Sequence, residues 1–324
     1  MPEKNILVVG GAGFIGSNVN QFLQEAGFRT IVFDNLSRGN EKTVLQGKFI
    51  RGDIGCMQDL ENVFASHSID AVMHFAAFTD VGESCANPAL YYRNNVAYTL
   101  NLLDCMHQHK VKNIIFSSSA AVYGFPQENR IAETHPCQPI NPYGETKWMM
   151  EKILHDYAVA YGFKTCALRY FNAAGGDPSG KIKNYPKREN NLIPIILRNV
   201  LAGHNTATIF GTDYPTPDGS CVRDYIHVHD LARAHHSALL KILAGAPSNY
   251  YNLGNGLGFS VRQVIQAVET VLGKPLEVIE GARRAGDPPF LVADASKAAR
   301  ELGWSPHYAA VETMVEHAWA AMQV

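Results

Sequence analysis

Short, wholly apolar runs recur along the first half of the chain and alternate with longer stretches in which apolar residues return every three or four positions. Ile6-Leu7-Val8-Val9 is the first run, and Ile15, Val19, Phe22, Leu23 and Ala26 follow at helical spacing. Between them lies Gly10-Gly11-Ala12-Gly13-Phe14-Ile15-Gly16, so the pattern predicts strand, glycine turn, helix. Thr30 to Phe33, Ala71 to Ala77, Asn113 to Phe116 and Thr165 to Arg169 predict further strands, with helices from Leu90 to His109 and after Pro142. Repeated strand-helix alternation points to an α/β fold built on a Rossmann-like, doubly wound parallel sheet.

From Phe171 to Asn191 the chain turns rich in Gly, Pro, Asn and charge, which predicts a departure from that sheet. Residues 1–170 are therefore expected to form the dinucleotide-binding domain. Residues 171–324 are expected to form mainly a smaller mixed α/β substrate lobe, with some later segments returning to the first domain. Its predicted strands are Ala207 to Phe210, Asp224 to Val228 and Tyr250 to Leu253; its predicted helices are Leu192 to Ala202, Asp230 to Leu243, Ser260 to Leu272 and Val311 to Met322.

Composition narrows the function classes. A chain of 324 residues with 46% hydrophobic content can bury a large core. A net charge of -2 supplies no positive field for nucleic acid or an acidic membrane. No apolar run approaches the roughly 20 residues of a membrane span, and the strand pattern begins at once without a signal peptide. The six cysteines form no C-x-x-C pair, which fits reduced thiols and a cytoplasmic protein. His227, His229, His235 and His236 lack the compact spacing of a ligand set, so no metal is expected.

The candidate chemistry sits at strand ends. Gly10, Gly13 and Gly16 permit a tight turn and close approach of a pyrophosphate to exposed amides at a helix N-terminus. Their spacing, G-x-x-G-x-x-G, departs from the usual G-x-G-x-x-G. Asp34 ends the second strand, where a carboxylate accepts from ribose hydroxyls and repels a 2′-phosphate, favouring NAD over NADP; Arg38 is the one residue placed to contact such a phosphate. Asp53 is a candidate acceptor for an adenine amine. Ser117-Ser118-Ser119 cap another strand end. A little beyond, Tyr143 and Lys147 stand four apart behind Pro142, on one helical face. A phenol with pKa of about 10 needs a cationic neighbour to act as an acid/base near neutrality, and Lys147 is the expected neighbour.

Taken together, Gly10-x-x-Gly13-x-x-Gly16, Ser119, Tyr143 and Lys147 resemble the extended short-chain dehydrogenase/reductase superfamily. Val81-Gly82-Glu83-Ser84, Phe116 to Ala120, Leu168 to Asn172, Val222 to His227 and Tyr251 to Gly254 resemble, more narrowly, the UDP-glucose 4-epimerase family, over nearly the whole chain. The resemblance implies tightly held NAD, a UDP-sugar between the lobes and a homodimer formed through the Leu90 to His109 and Pro142 to Tyr161 segments. It implies catalysis by Ser119, Tyr143 and Lys147: Tyr143 exchanges a proton with the sugar 4-hydroxyl, and a transient 4-keto sugar turns over before reduction on its other face. It also implies that Gly10, Gly13, Phe14, Ile15, Gly16, Asp34, Asn35, Asp53, Ile54, Phe75, Ala76, Ala77, Asn94, Tyr143, Lys147 and Phe171 surround NAD. Ser119, Asn172, Asn191, Leu192, Thr208, Phe210, Arg223, Tyr225, Arg284, Asp287 and Leu291 would hold the nucleotide sugar. Arginines suit a diphosphate, and an aromatic face at Phe210 or Tyr225 suits uracil.

Two positions depart from the family pattern. Thr79 stands where a lysine toward NAD is expected, and Leu291 occupies the sugar-gating position, between the bulky tyrosine of narrow hexose specificity and the small residue of N-acetyl sugars. The alternatives are a 4-epimerase of UDP-N-acetylhexosamine, UDP-glucuronate or a UDP-pentose, and a non-catalytic NAD-sensing protein. A 4,6-dehydratase needs an Asp-Glu pair where Ala120-Ala121 stand.

Overall fold

The computed structural model describes residues 4–183, 191–284 and 287–323. Its main sheet has seven parallel strands: β1 (Asn5–Val9), β2 (Arg29–Asp34), β3 (Lys48–Arg51), β4 (Ala71–His74), β5 (Asn113–Ser119), β6 (Lys164–Tyr170) and β7 (Asn249–Leu253). They lie in the order β7-β6-β5-β4-β1-β2-β3. The order reverses between β1 and β4, which opens a crevice at the strands' carboxyl ends.

Apolar runs become central strands because both faces are covered. On one face the helix Phe14–Glu25 packs with Val228–Leu243 and Ser296–Leu302, burying Val19, Leu23, Leu231, Ala238 and Leu302 against Ile6, Val8 and Val32. On the other, Met57–Ser66, Tyr98–Gln108 and Pro142–Tyr161 bury Leu60, Leu102, Met150 and Leu154 against Leu7, Val9 and Ile114.

A second core joins the helices Leu192–Leu201, Val261–Leu272 and Val311–Met322 to a parallel strand pair, Thr206–Phe210 and Glu277–Gly281. Ser260 and Gln263 start the middle helix with a reciprocal capping box. Short strands Val222–Arg223, Phe259–Ser260 and Phe290–Leu291 make a small sheet beside it.

The sequence pattern and the structure differ in places. The predicted helix from Leu90 to His109 comprises Pro88–Tyr91, a wider π turn at Tyr92–Ala97 and Tyr98–Gln108. The predicted strand from Asp224 to Val228 contracts to Tyr225–His227, because the Asp224 carboxylate is buried, accepting from the amides of Asn255, Gly256 and Ala293. Tyr250 to Leu253 belongs to the main sheet, so part of the second half of the chain completes the first layer. The strand Glu277–Gly281 escaped notice, since four of its five residues are exposed and no apolar face repeats at period two. Residues 184–190 of the predicted departure segment lie outside the described residues.

Three buried histidines set an acid limit on the fold. Burial pulls His74 and His227 down to about 3 and His235 to about 4. His74 bonds Thr99, His235 bonds Tyr170 and the Leu231 carbonyl, and His227 bonds His317. The folded-state values lie below the unfolded one, so the unfolded chain takes up more protons below pH 6.5. Stability is then complete above that pH and falls as pH drops toward 4, by up to about 2 kcal/mol per histidine at pH 5. We expect the melting temperature to fall steeply between pH 7 and pH 5. His74→Phe should flatten that slope; equal slopes in the two proteins would contradict the assignment.

Candidate functional site

The glycine turn is shaped by contacts a side chain would prevent. Gly10 has φ +78°, and a Cβ there would lie 2.4 Å from the Ala76 nitrogen; at Gly16 a Cβ would lie 2.4 Å from the Gly10 carbonyl oxygen. Gly13 caps the Phe14–Glu25 helix and has only the Gly10 oxygen near its Cβ position, at 3.4 Å. Room for an anion is thus left at the helix N-terminus, where backbone amides point outward.

A cleft opens from this turn along the sheet edge, lined by Gly10, Gly13, Asp34, Asn35, Ile54, Phe75, Ala76, Ala77 and Asn94 among the residues expected to surround NAD. Ser37, Arg38, Gly39, Gly52 and Phe78 also line it. Phe14, Ile15, Gly16, Asp53, Tyr143, Lys147 and Phe171 do not. Gly16 acts through the close approach just described, and Ile15 packs on the core. Asp53 accepts from the Asn35 amide group and the Gly55 amide, so its carboxylate shapes the loop that presents Ile54. Phe171 is buried with Ala120, Val122, Tyr123 and Ile131.

Asp34 has both oxygens turned toward backbone: Oδ2 accepts from Ala12 at 3.0 Å and Oδ1 from Leu36 at 2.8 Å. It fixes the glycine turn to the end of β2, where its negative charge faces the cleft wall. Arg38, on the cleft lining, pairs with Glu83 at 2.8 Å and lies 5.0 Å above the Phe78 ring.

The second half of the site is the start of the Pro142–Tyr161 helix. Asn141 caps it by accepting from Gly144 at 2.8 Å, and Pro142 occupies the first turn. A Cβ on Gly144 would lie 2.5 Å from the Ala121 oxygen, so the missing side chain lets the helix seat against the turn that follows Ser119. Ser119 ends β5 and caps that turn. Burial pushes the Tyr143 phenol up, and the neighbouring Ser119 hydroxyl pulls the other way.

Lys147 is buried, donates to the Ser117 carbonyl at 2.7 Å and lies 4.9 Å from the Phe116 ring centre and 5.9 Å from that of Tyr143. Desolvation pulls its ammonium down to about 7, with the Glu151 carboxylate opposing. Lys147 shares the helical face but bonds the strand end, and Ser119 is the group acting on the phenol.

Several supports were not singled out by sequence reasoning. Glu151, one turn beyond Lys147, accepts from Ser118 and from Arg169, with the guanidinium at 2.6 Å. Asn95, buried in the π turn, bonds both the Phe78 backbone and Thr146 Oγ1, joining the cleft wall to the Pro142–Tyr161 helix. Its extra turn residue is the kind of local widening that aims a side chain at a site. A Glu at i+4 from Lys147 was visible as spacing; Asn95 carried no signal distinguishing it from Asn94.

The residues expected to hold a nucleotide sugar form a second group. Arg223 reaches Asp287 at 3.4 Å and the Pro288 carbonyl at 2.8 Å. Arg284 lies 4.6 Å above the Phe210 ring and 3.4 Å from Asp287. Leu291 pairs in register with Arg223 and packs on the cluster holding Ala120, Tyr123 and Phe171. Asn172 keeps a buried side-chain nitrogen without a partner, a donor that fits a polar ligand. Asn191 is exposed at the cap of the Leu192–Leu201 helix, and Leu192 and Thr208 are half-buried. Tyr225 is an exception: it is buried in the lobe core, so Phe210 is the aromatic face left for a base. Both groups of residues fit the ligands expected, a dinucleotide at the glycine turn and an anionic, polar nucleotide sugar beside the arginines.

A profile of the NAD dependent epimerase/dehydratase family matches residues 6–254. The UDP-glucose 4-epimerase of Halalkalibacterium halodurans is 50% identical over 314 residues, covering 97% of this chain and 94% of that one. The enzyme of the same name from Rhizobium meliloti is 44% identical, covering 98% and 97%. Among solved structures, UDP-glucose 4-epimerase from Brucella ovis in complex with NAD superposes with a TM-score of 0.95 at 45% identity, covering 98% and 97%. The Bifidobacterium longum enzyme in complex with NAD+ and UDP gives 0.92 at 40%, covering 98% of each chain.

The fit of the helix start against Ser119 is open to test. Gly144→Ala should cost about 1–3 kcal/mol, because its methyl group meets backbone and not a flexible side chain. It should also lower turnover by loosening the Tyr143–Ser119 contact. Chemical denaturation with the activity assay below checks both; unchanged stability would show that the helix has slack.

Proposed function

The chain belongs to the NAD dependent epimerase/dehydratase family, and from that premise we propose that it interconverts UDP-glucose and UDP-galactose by 4-epimerisation with NAD as cofactor. The observation that carries the proposal is a glycine cradle at the end of β1, Tyr143 and Ser119 at the end of β5, and Arg223 on a strand whose partner Leu291 packs against the Ala120 turn next to Ser119. Support comes from relatives at 43–50% identity that bear this name and from solved neighbours holding NAD and UDP.

NAD, when bound, supplies a reversible hydride acceptor for carbon 4 of the sugar. The protein's own groups do the rest. Tyr143 takes the proton of the 4-hydroxyl and later returns one, and Ser119, the group that favours its charged form, stands beside it to meet the reacting oxygen. Lys147, anchored on the Ser117 carbonyl, presents a cation whose charge is sensitive to burial, on the face shared with Tyr143. Arg223 and Arg284 meet the diphosphate, Phe210 the uracil, and Asn172 a polar atom of the ligand. UDP is thereby anchored while the 4-keto hexose turns over to accept hydride on its opposite face. Because oxidation and reduction alternate in one site, the cofactor stays bound.

Leu291 leaves room between hexose and N-acetylhexosamine, so a 4-epimerase of other UDP-sugars is the second reading; it is favoured by the side chain's place beside Arg223 and the Ala120 cluster. The protein is cytoplasmic, which six cysteines without a disulfide support. No helix among the described residues is long and apolar enough to cross a membrane.

The decisive experiment incubates the purified protein with a panel of UDP-sugars without added NAD. UDP-glucose and UDP-galactose should interconvert. Tyr143→Phe should keep bound NAD and lose nearly all turnover, at least a hundredfold. Wild-type turnover in that variant would remove Tyr143 from the chemistry.

A homodimer is supported by apolar side chains left exposed on the expected surfaces, Tyr92, Val159 and Tyr161. Light scattering should give twice the chain mass, and Val159→Glu should shift the assembly toward single chains; a monomeric parent would discard this assembly.

A further inference from the structure

Away from the cleft, on the opposite side of the Met57–Ser66 helix, three side chains of metal-binding type meet. Cys105 and His109 stand one helical turn apart at the end of the Tyr98–Gln108 helix, and Glu61 faces them from Met57–Ser66. Cys105 Sγ lies 3.7 Å from Glu61 Oε1, and His109 Nε2 lies 2.9 Å from Glu61 Oε2. One ligand atom from each falls within 4.8 Å of the others. Around a tetrahedral zinc ion, bonded at about 2.3 Å to sulfur and 2.0–2.2 Å to nitrogen or oxygen, ligand atoms stand about 3.4 Å apart. The distances here straddle that value.

We propose that Glu61, Cys105 and His109 form a site for one borderline-soft divalent cation, zinc in the first instance, with water as the fourth ligand. A thiolate, a neutral imidazole and a carboxylate together carry two negative charges, which a divalent ion neutralises. The sulfur and nitrogen donors select against magnesium and calcium. Access is open on one side only: Cys105 is fully buried, whereas the side chains of His109 and Glu61 are 27% and 37% exposed. The ion would enter past these two and reach the thiol behind them.

Binding exchanges one proton for the metal. The Cys105 thiol gives up its proton to solvent, the His109 ring proton shifts from Nε2 to Nδ1, and the hydrogen bond between His109 and Glu61 is replaced by bonds from each to the ion. The ion would clamp two helices together. One of them holds the cleft floor, since Asn101 on the Tyr98–Gln108 helix donates to the carbonyl of Ile54. Sequence spacing hid the set, because Glu61 and Cys105 lie 44 positions apart.

The test titrates Co2+ into the full chain with its cofactor, in a background in which the exposed Cys56 and Cys85 are serine. A thiolate-to-cobalt charge-transfer band with intense visible bands should saturate at one ion per chain and be bleached by one equivalent of Zn2+. Cys105→Ala should abolish the charge-transfer band. His109→Asn and Glu61→Gln, both at the solvent side and expected to fold, should weaken binding at least tenfold. Zn2+ should raise the melting temperature of the parent but not of His109→Asn. A weak spectrum of hydrated cobalt, or the same titration in the His109→Asn chain, would overturn the proposal.

Discussion

The ion pair between Glu151 and Arg169 bears on every part of the site. Both groups lie almost wholly out of water, with side-chain exposures of 6% and 2%. Such a pair is favourable only when its remaining donors and acceptors are also met, because desolvation otherwise exceeds the attraction. Here they are met: Glu151 accepts three bonds from the guanidinium and one from Ser118, and the remaining guanidinium nitrogen donates to Tyr123. Tyr123 donates to Asn252 on β7, which in turn donates to Ile131. One network thus locks the Pro142–Tyr161 helix to three adjacent strands.

That lock explains the chemistry one turn earlier. Glu151 fixes the helix axially, so Lys147 must enter the sheet edge, where the Ser117 carbonyl receives it. The three serines divide the work. Ser117 accepts the lysine through its backbone, Ser118 bonds Glu151, and Ser119 caps the following turn and acts on the Tyr143 phenol. A run of three hydroxyls at a strand end is therefore a junction, each member facing a different partner.

The fold was legible where the physics is local. Apolar runs buried on both faces declared β1, β4, β5 and β6, and the glycine turn declared the first crossover. Sequence could not reveal that β7 lies beside β6, since that depends on long-range pairing through Arg169 and Asn252. Nor did it reveal the exposed strand Glu277–Gly281, which lacks an apolar face. At the site, Tyr143, Ser119 and Lys147 were legible as types and spacing, but the direction in which burial moves Lys147 was not. Tyr225 illustrates the limit from the other side: an aromatic near two arginines is equally suited to a ligand and to a core, and only burial decides.

The same network limits how far sugar specificity can be separated from catalysis. Leu291 packs with Ala120, Tyr123 and Phe171. Ala120 directly follows Ser119, and Tyr123 is the acceptor for Arg169. A side chain at 291 therefore presses on the turn that follows Ser119 as well as on any sugar beside it. Interiors packed this closely transmit a change of volume. Enlarging the residue at 291 must shift Ser119, the Tyr123 ring or the Phe290–Leu291 strand, and the shift that costs least determines whether a narrower pocket keeps its rate. Because the strand is a two-residue pairing at the edge of a small sheet, it is the softest of the three, so selectivity can change there while the Tyr143–Ser119 geometry is retained.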